Sequence, residues 1–271
     1  MTSMSLSPVM FRSLWNYRGF VLGAVKREFR IRYAGALLDA LWAVLNPLAM
    51  IVVFTLIFSQ VMGNRLPDNR GGTFGYSVFL CGALLPWNWF AELLGRLNTV
   101  FVDNANLMKK ASFPRLCLPT IVVLSTAIHF TIVFSLFLVF LALTGNLPGW
   151  PLVAFPLVLA LHVALALGLG LLLGTLNVFF RDVGQFTGVL LQFWFWLTPI
   201  IYASSVLPQA LRNLLWINPI VPLADAYHAI FSAQAFPQWS GLVYPALLAA
   251  FLLGAGGLAF LRLSGEIVDE L

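Results

Sequence analysis

The chain has 271 residues, of which 61% belong to the hydrophobic set and only 9% are charged. Soluble domains contain about 45–50% apolar and about 25% charged residues, so no soluble fold could bury this much apolar surface. The formal net charge of +5 comes from basic residues that lie between apolar runs, a pattern typical of membrane topology signals rather than of a nucleic-acid-binding patch. The composition predicts a multi-pass membrane protein of the all-α class, with no nucleic-acid partner.

Residues 10–33 have the pattern of an amphipathic helix. At 100° per residue one face collects apolar side chains, with basic residues beside it. The apolar set is Phe11, Leu14, Trp15, Val21, Leu22, Val25, Phe29 and Tyr33. Because a basic amphipathic helix lies in the plane of the membrane, we predict a cytoplasmic interfacial helix over residues 1–35. A lipid anchor without a mechanical role fits the same periodicity.

Six apolar stretches follow, each long enough to cross the membrane. A helix needs about 20 apolar residues to span a hydrocarbon core of roughly 30 Å. The stretches are 36–61, 74–99, 116–143, 151–176, 184–203 and 241–261. We therefore predict a six-span transmembrane domain over residues 36–271.

The basic residues indicate the orientation of these spans. If both ends of the chain lie on one side, twelve Lys and Arg residues fall on that side and three fall opposite. The three are Arg65, Arg70 and Arg212. Basic residues concentrate in cytoplasmic loops, so we predict that both termini are cytoplasmic.

Residues 206–237 are moderately apolar but contain Pro208, Pro219, Pro222 and Pro237. Each half is too short to span, so we predict two short re-entrant helices on the outer side, between the fifth and sixth spans. A seventh span with an external C-terminus is the alternative, and it would place Arg262 outside.

The sequence lacks the motifs of an enzyme. It contains no G-x-x-x-x-G-K-[ST] phosphate loop and no H-E-x-x-H, G-x-S-x-G or C-x-x-C signature. We therefore predict no catalytic residue, metal site or cofactor on this chain.

A few polar residues and glycines lie within the apolar spans. His129 and His162 stand singly, which favours a hydrogen-bonded packing role. Glu92 precedes Arg96 by four residues, which predicts an ion pair one turn apart on one helix. In the fourth span Gly168, Gly170 and Gly174 predict close helix packing.

Short motifs along the chain match a known family. The matching residues are Arg32, Tyr33, Leu38, Trp42, Pro47, Asn106, Leu107, Lys109, Phe113, Pro114, Asn177, Phe180, Arg181, Asp182, Trp196, Thr198, Pro199, Ile200, Tyr202, Asn218 and Pro219. In order and placement they resemble the transmembrane permease subunits of bacterial ABC transporters that export lipid-linked polysaccharides, within the ABC type-2 permease family. The resemblance covers nearly the whole chain, although Ala34, Ala36 and Asp39 depart from the family's usual Lys, Ser and Gly.

The resemblance implies a permease in the bacterial inner membrane that works with a separate nucleotide-binding ATPase subunit, present in two copies. ATP and Mg²⁺ then belong to that partner. The implied substrate is an undecaprenyl-linked polysaccharide, with O antigen as the first expectation and capsule or teichoic acid as the others. Because six helices cannot enclose a bore wide enough for a glycan, we expect a homodimer.

A permease without a phosphate loop needs a docking surface for its ATPase. Two inner loops are available, at residues 100–115 and 178–183. We predict that they supply the coupling residues Lys109, Lys110, Phe113, Pro114, Arg181 and Asp182. Ordinary positive-inside loops would explain the charges but not exposed Phe113–Pro114 and Phe179–Phe180 beside them.

Aromatic rings are dense in the first and fifth spans. Sugar rings have flat C–H faces that pack on aromatic side chains, so we predict a substrate channel lined by Trp42, Phe193, Trp196 and Tyr202. On one helix Phe193 and Trp196 share a face, and we expect them to face the glycan while Trp194 packs outward. An aromatic belt at the lipid interface is the alternative explanation.

Three other functions compete with polysaccharide export. A permease of the same fold could export a drug or a lipid. A membrane-embedded acyl- or glycosyltransferase would need an acid/base cluster at one membrane face, and the sequence offers none. A secondary transporter would have an internal repeat and midplane charges, which are not evident.

Overall fold

The computed structural model describes residues 15–33, 74–110, 113–204, 207–209 and 215–270, together with the single positions 45, 49, 52 and 53. Within these residues the chain forms helices and turns and no strand, so the predicted all-α class is confirmed. The helices are α1 Arg18–Tyr33, α2 Gly75–Asp103, α3 Ala105–Lys110, α4 Cys117–Leu143, α5 Phe155–Phe179, α6 Asp182–Trp196, α7 Ile220–Phe231, α8 Val243–Leu263 and α9 Glu266–Glu270. The first predicted span, 36–61, lies outside the described residues except at those single positions.

Four helices in the described part of the chain are long and apolar enough to cross a membrane. They are α2, α4, α5 with the 3-10 turn Trp150–Ala154 that precedes it, and α8 with the 3-10 turn Trp239–Leu242. These four agree with the second, third, fourth and sixth predicted spans. The chain is therefore a helical, multi-pass membrane protein.

The predicted fifth span is shorter than expected. Helix α6 has 15 residues, which corresponds to about 22 Å against a hydrocarbon core of about 30 Å. Beyond Trp196 the backbone turns, because Pro199 has no amide hydrogen to continue the helical ladder. The Thr198 hydroxyl donates back to the Trp194 carbonyl at 2.7 Å. The helix within the predicted span 184–203 therefore ends at Trp196, seven residues before the predicted end.

Helix α7 is the described part of the stretch predicted to re-enter the membrane. It has 12 residues, or about 18 Å, and lies after Asn218 and Pro219. Its apolar residues are almost all buried against α2 and α5, and its terminal Phe231 packs on Gly82 of α2. The helix is too short to span and lies within the protein interior. In the first half of the stretch, residues 206 and 210–214 lie outside the described residues.

Helix α2 forms the centre of the bundle. Of its 29 residues, 20 are buried, whereas α8 buries five of 21. The fully buried side chains of α2 include Leu80, Leu93, Leu94 and Phe101. Helices α4, α5, α6 and α7 all pack against it, so α2 is surrounded by protein, whereas most of α8 is not buried by the described residues.

The glycines of α5 permit the closest helix contacts, as the sequence predicts. A Cβ on Gly170 would lie 2.7 Å from the Leu97 side chain of α2, and one on Gly174 would meet the Leu97 carbonyl oxygen. On the other side of α5, a Cβ on Gly168 would lie 2.5 Å from the backbone nitrogen of Leu253 in α8. Helix α5 therefore fits between α2 and α8 because it lacks side chains at these positions.

Helix α1 packs on protein along one face instead of lying only in lipid. Val21 and Val25 are buried against Ile121 of α4, together with Ala24 and Cys117. Leu22, which the periodicity places on the same apolar face, is 61% exposed. The helix predicted over residues 10–33 is observed from Arg18, and Phe11 and Leu14 lie outside the described residues.

Replacement of Gly174 by alanine should destabilise the bundle, because the new methyl group must displace the Leu97 backbone of α2. Overpacking of this kind costs about 1–3 kcal/mol. We expect a lower midpoint of thermal unfolding for the purified chain in detergent. The matched control is Gly254→Ala in α8, where an added Cβ meets no atom within 4 Å. An unchanged midpoint for Gly174→Ala would contradict the close packing of α2 and α5.

Candidate functional site

The bundle of described helices has two ends, and most of the predicted functional residues lie at one of them. At this end the C-terminal turns of α2, α5 and α8 meet the beginnings of α4 and α6. Phe101 of α2 stacks on Phe260 of α8, with ring centroids 5.4 Å apart. We call it the basic end, because it carries Lys109, Lys110, Arg181 and the Arg residues of α1. At the opposite end, Tyr76 donates a hydrogen bond to the Ile201 carbonyl at 2.7 Å.

The first inner loop contains the short helix that the sequence predicts. After α2 ends, the Asn104 carbonyl accepts hydrogen bonds from the amides of Leu107 and Met108, each at 3.0 Å, and so starts α3. Met108 is buried against the bundle. Lys109 and Lys110 follow it on the exposed surface. The buried methionine therefore anchors a turn of helix that presents two cations to solvent.

Phe113 does not belong to the exposed surface of that loop. Its ring lies 5.2 Å from the ring of Phe20 and packs against the cluster between α1 and α4. Pro114, next to it, is also partly buried, and its carbonyl accepts from the Cys117 amide at the start of α4. The expectation that Phe113 and Pro114 are exposed is therefore wrong. Phe113 instead joins the loop to α1.

The second inner loop is exposed as predicted. Phe180 is 65% exposed, and Arg181 and Asp182 are exposed beside it. The expectation that Phe179 is exposed is wrong, since it packs partly against the core. Within the described residues no hydrogen bond or ion pair joins Arg181 or Asp182 to Lys109 or Lys110. The two loops thus lie at the same end of the bundle without bonding to each other.

Buried amides tie this second loop to α2. Asn177 of α5 donates through Nδ2 to the Asn98 carbonyl at 2.9 Å, and its Oδ1 accepts from the Gly184 amide at 2.9 Å. A Cβ on Gly184 would lie 3.1 Å from that Oδ1. Asn98 and Gly184 were missed by sequence reasoning, although a polar amide near the end of an apolar helix is a usable signal. These bonds fix the turn between α5 and α6 against the central helix.

Two ion pairs join α1 to α2. Arg96 bonds to Glu28 at 2.6 Å, and Arg32 bonds to Glu92 at 2.5 Å. Arg96 also donates to the Ser125 hydroxyl of α4 at 2.9 Å. The predicted pair between Glu92 and Arg96 within α2 is wrong, since both residues take partners on α1 instead. The sequence could not show this, because the partners lie 60 and 68 positions away.

Helix α6 has two distinct faces. Phe193 and Trp196 are 64% and 59% exposed, and Phe186 and Val189 continue the same face toward the basic end. We call these four residues the α6 stripe. Trp194 lies on the other face, with its ring 5.5 Å from Phe90 of α2. The expectation that Trp194 packs outward is therefore wrong, whereas Phe193 and Trp196 do share a face separate from it.

A hydrogen-bond network around Asn218 fixes the inner face of α6. The Trp194 indole Nε1 donates to Oδ1 of Asn218 at 2.8 Å, and Nδ2 of Asn218 donates to the Thr198 hydroxyl at 3.0 Å. The Ile220 amide also donates to Asn218 Oδ1, at 3.0 Å, at the start of α7. The motif residues Thr198 and Asn218 thus connect the end of α6 to the beginning of α7.

The remaining predicted channel residues are only partly placed. Tyr202 is partly buried, and its hydroxyl donates to the Trp196 carbonyl at 2.9 Å, across the turn that ends α6. Trp42 lies outside the described residues. No contact of Tyr202 with the ring of Phe193 or Trp196 is observed in the described part of the chain.

His162 lies in the buried interior of the bundle. Nδ1 of His162 lies 3.1 Å from the Tyr227 hydroxyl of α7, within a stack of rings that includes Phe90, so its predicted packing role is confirmed. Among the described residues, no group of three or more His, Cys, Asp or Glu side chains could hold a metal ion.

The sequence is similar to known proteins along nearly its full length. Residues 21–232 match the pattern of the ABC-2 type transporter family. The O-antigen export system permease protein RfbA of Myxococcus xanthus is 34% identical over 264 residues, which cover 97% of this chain and 99% of that protein. A Klebsiella pneumoniae protein of the same name is 32% identical over 76% of this chain and 77% of its own length, and the Escherichia coli polysialic acid transport protein KpsM is 23% identical over 73% and 76%. A helical bundle with at least four membrane-crossing helices agrees with this likeness, and the chain belongs to the ABC-2 type transporter family.

Proposed function

We propose that this chain is the transmembrane permease subunit of an ATP-driven polysaccharide exporter, with lipid-linked O antigen as the substrate. Relatives that carry the names O-antigen export permease and polysialic acid transport protein support a polysaccharide cargo. Likeness to the first extends over almost the entire length of both proteins. The chain carries no ATP-binding loop, so ATP and Mg²⁺ are bound by a separate nucleotide-binding subunit, present in two copies.

We propose that the permease crosses the bacterial inner membrane six times, with residues 1–35 as a cytoplasmic interfacial helix and 36–271 as the transmembrane permease domain. The basic end is cytoplasmic in this arrangement, in keeping with the positive-inside distribution of Lys and Arg. Helix α6 with the turns after it acts as the fifth crossing, and α7 is one helix of the outer re-entrant pair. The shortness of α6 and α7 and the burial of α7 support this assignment.

The α6 stripe is the observation that carries the proposed transport function. The exposed rings lie along one face of α6, while the opposite face is bonded to the bundle. The exposed face is therefore a surface on which a second copy of the chain can pack. A homodimer would then enclose a path between the two α6 stripes, joined by Trp42 of the first span and by Tyr202. Aromatic rings suit the C–H faces of sugars and bind each unit weakly, as transport requires.

The two exposed loops of the basic end are the proposed docking surface for the ATPase. Lys109, Lys110, Arg181 and Asp182 provide charged contacts, and Phe180 provides an exposed apolar one. Phe113 and Pro114 act indirectly, since they attach the loop to α1. Asn177 and Asn98 transmit a displacement of the second loop to α2, because their hydrogen bonds are buried and direct.

Single cysteines should report the orientation of the bundle. In spheroplasts with an intact inner membrane, a cysteine that replaces Gly149 or Gln238 should react with a membrane-impermeant maleimide added outside. A cysteine that replaces Asp103 or Glu266 should react only after the membrane is permeabilised. These four positions are exposed, whereas the native Cys81 and Cys117 are buried and give little background. Labelling of Glu266→Cys from outside would exclude cytoplasmic placement of the basic end.

Loss of the exposed charges should uncouple the permease from its ATPase. The variant Lys109→Gln/Lys110→Gln/Arg181→Gln should reduce permease-stimulated ATP hydrolysis and surface polymer several-fold at an unchanged membrane level. Arg262→Gln, an exposed cation of α8 near the same end, is the control that should retain both activities. Wild-type export by the triple variant would reject the proposed docking surface.

The two faces of α6 should respond differently to alanine. Phe193→Ala and Trp196→Ala should reduce polymer at the cell surface, normalised to permease level, because they remove rings from the proposed path without removing internal contacts. Trp194→Ala should chiefly lower the amount and thermal stability of the protein, since it removes the indole donor from partly buried Asn218. Equal losses that follow protein level in all three variants would favour the lipid-belt explanation.

A further inference from the structure

Helix α1 is held in one rotational setting, so the direction of each of its faces is known. Val21, Ala24 and Val25 are buried against the beginning of α4. Glu28 and Arg32, on the same side, form the ion pairs with α2. The remaining circumference of the helix faces away from the described helices of the bundle.

One outward stripe of α1 combines small and basic residues. Gly19, Gly23, Lys26 and Arg30 follow one another at i, i+4, i+7 and i+11, so they lie along one side of the helix. With Arg27, they line an open depression of about 490 Å³, which we call the glycine groove. Its three cations are exposed, and no acid in the described part of the chain forms an ion pair with them. The groove therefore carries uncompensated positive charge.

The two glycines of this groove are not required by packing against any of the described residues. A Cβ on Gly19 or on Gly23 would meet no atom within 4 Å, whereas Gly170 of α5 is needed because α2 lies against it. Glycine within a helix is unfavourable relative to alanine, so these two positions weaken α1 without a compensating contact in the described chain. They do leave the helix backbone open to a ligand that lies close to it.

The level of the groove within the membrane follows from the residues beside it on the helix. Trp15 and Leu22 are 68% and 61% exposed and lie seven residues apart, on a stripe that adjoins Gly19 and Lys26. An apolar stripe beside a basic one is typical of a helix at the boundary between acyl chains and headgroups. Lipid phosphates lie at this boundary, which places them next to the groove.

We propose that the glycine groove binds the phosphate of an anionic phospholipid from the surrounding leaflet. The three cations supply the charge that such a headgroup requires, and Gly19 and Gly23 let it approach the helix backbone. The bound lipid would be a structural ligand of α1 and not the transported substrate. The site therefore stands independently of the cargo of the exporter.

Native mass spectrometry of the purified full-length chain in a neutral detergent tests this site. The chain is titrated with dioleoylphosphatidylglycerol or dioleoylphosphatidylcholine, and bound lipids are counted. We expect tighter binding of phosphatidylglycerol. The variant Lys26→Gln/Arg27→Gln/Arg30→Gln should weaken it roughly tenfold or more, since each cation beside anionic lipid contributes about a factor of five.

Gly23→Leu separates the groove from charge alone, because it fills the depression and changes no charged group. It should weaken phosphatidylglycerol binding as well, while Gly254→Leu in α8 and Arg262→Gln serve as controls that should not. Equal affinity for the two lipids would overturn the proposal. Full retention of binding by Gly23→Leu would also overturn it, in favour of diffuse attraction. Displacement of the lipid by millimolar inorganic phosphate would identify free phosphate as the ligand and exclude the lipid.

Discussion

The contact of Leu97 with two glycines of α5 is the constraint on which the rest of the bundle depends. At Gly170 and Gly174 the central helix α2 approaches α5 so closely that no side chain fits between them. Because this contact lies one residue from Asn98, it also brings the Asn98 carbonyl within 2.9 Å of Asn177. Close packing and the buried amide bonds thus support each other, and together they position the turn into α6.

The orientation of α6 follows from that turn and from the hydrogen-bond network around Asn218 at its other end. Asn177 holds its beginning through the Gly184 amide, and Asn218 holds its end through Trp194 and Thr198. A helix fastened at both ends cannot rotate, so the α6 stripe keeps its exposed direction. Here two asparagines far apart in sequence decide which aromatic rings face away from the subunit.

Sequence patterns predict the helices better than they predict the partners of side chains. Apolar length alone gives four of the spans, and the small-residue spacing of α5 predicts its close packing, because both depend on local properties of the chain. The partners of Glu92 and Arg96 depend on where α1 lies, which no local pattern contains. The inward position of Trp194 is not predictable for a similar reason, since helical periodicity separates two faces but does not say which of them meets the bundle. The turn after α6 does have a local signal, because Pro199 disfavours helical backbone at Thr198.

The order of charges in the two ion pairs of α1 works as a register code. Glu28 precedes Arg32 on α1, and Glu92 precedes Arg96 on α2. Each glutamate pairs with the arginine of the other helix. If α1 slid by one turn in either direction, Glu28 would meet Glu92 or Arg32 would meet Arg96, so repulsion would replace attraction. Partly exposed pairs of this kind contribute only about 0.2–1 kcal/mol each to stability. Their larger effect is to allow a single alignment of α1. An amphipathic segment that could otherwise slide along the membrane surface is thereby held at one position on the bundle.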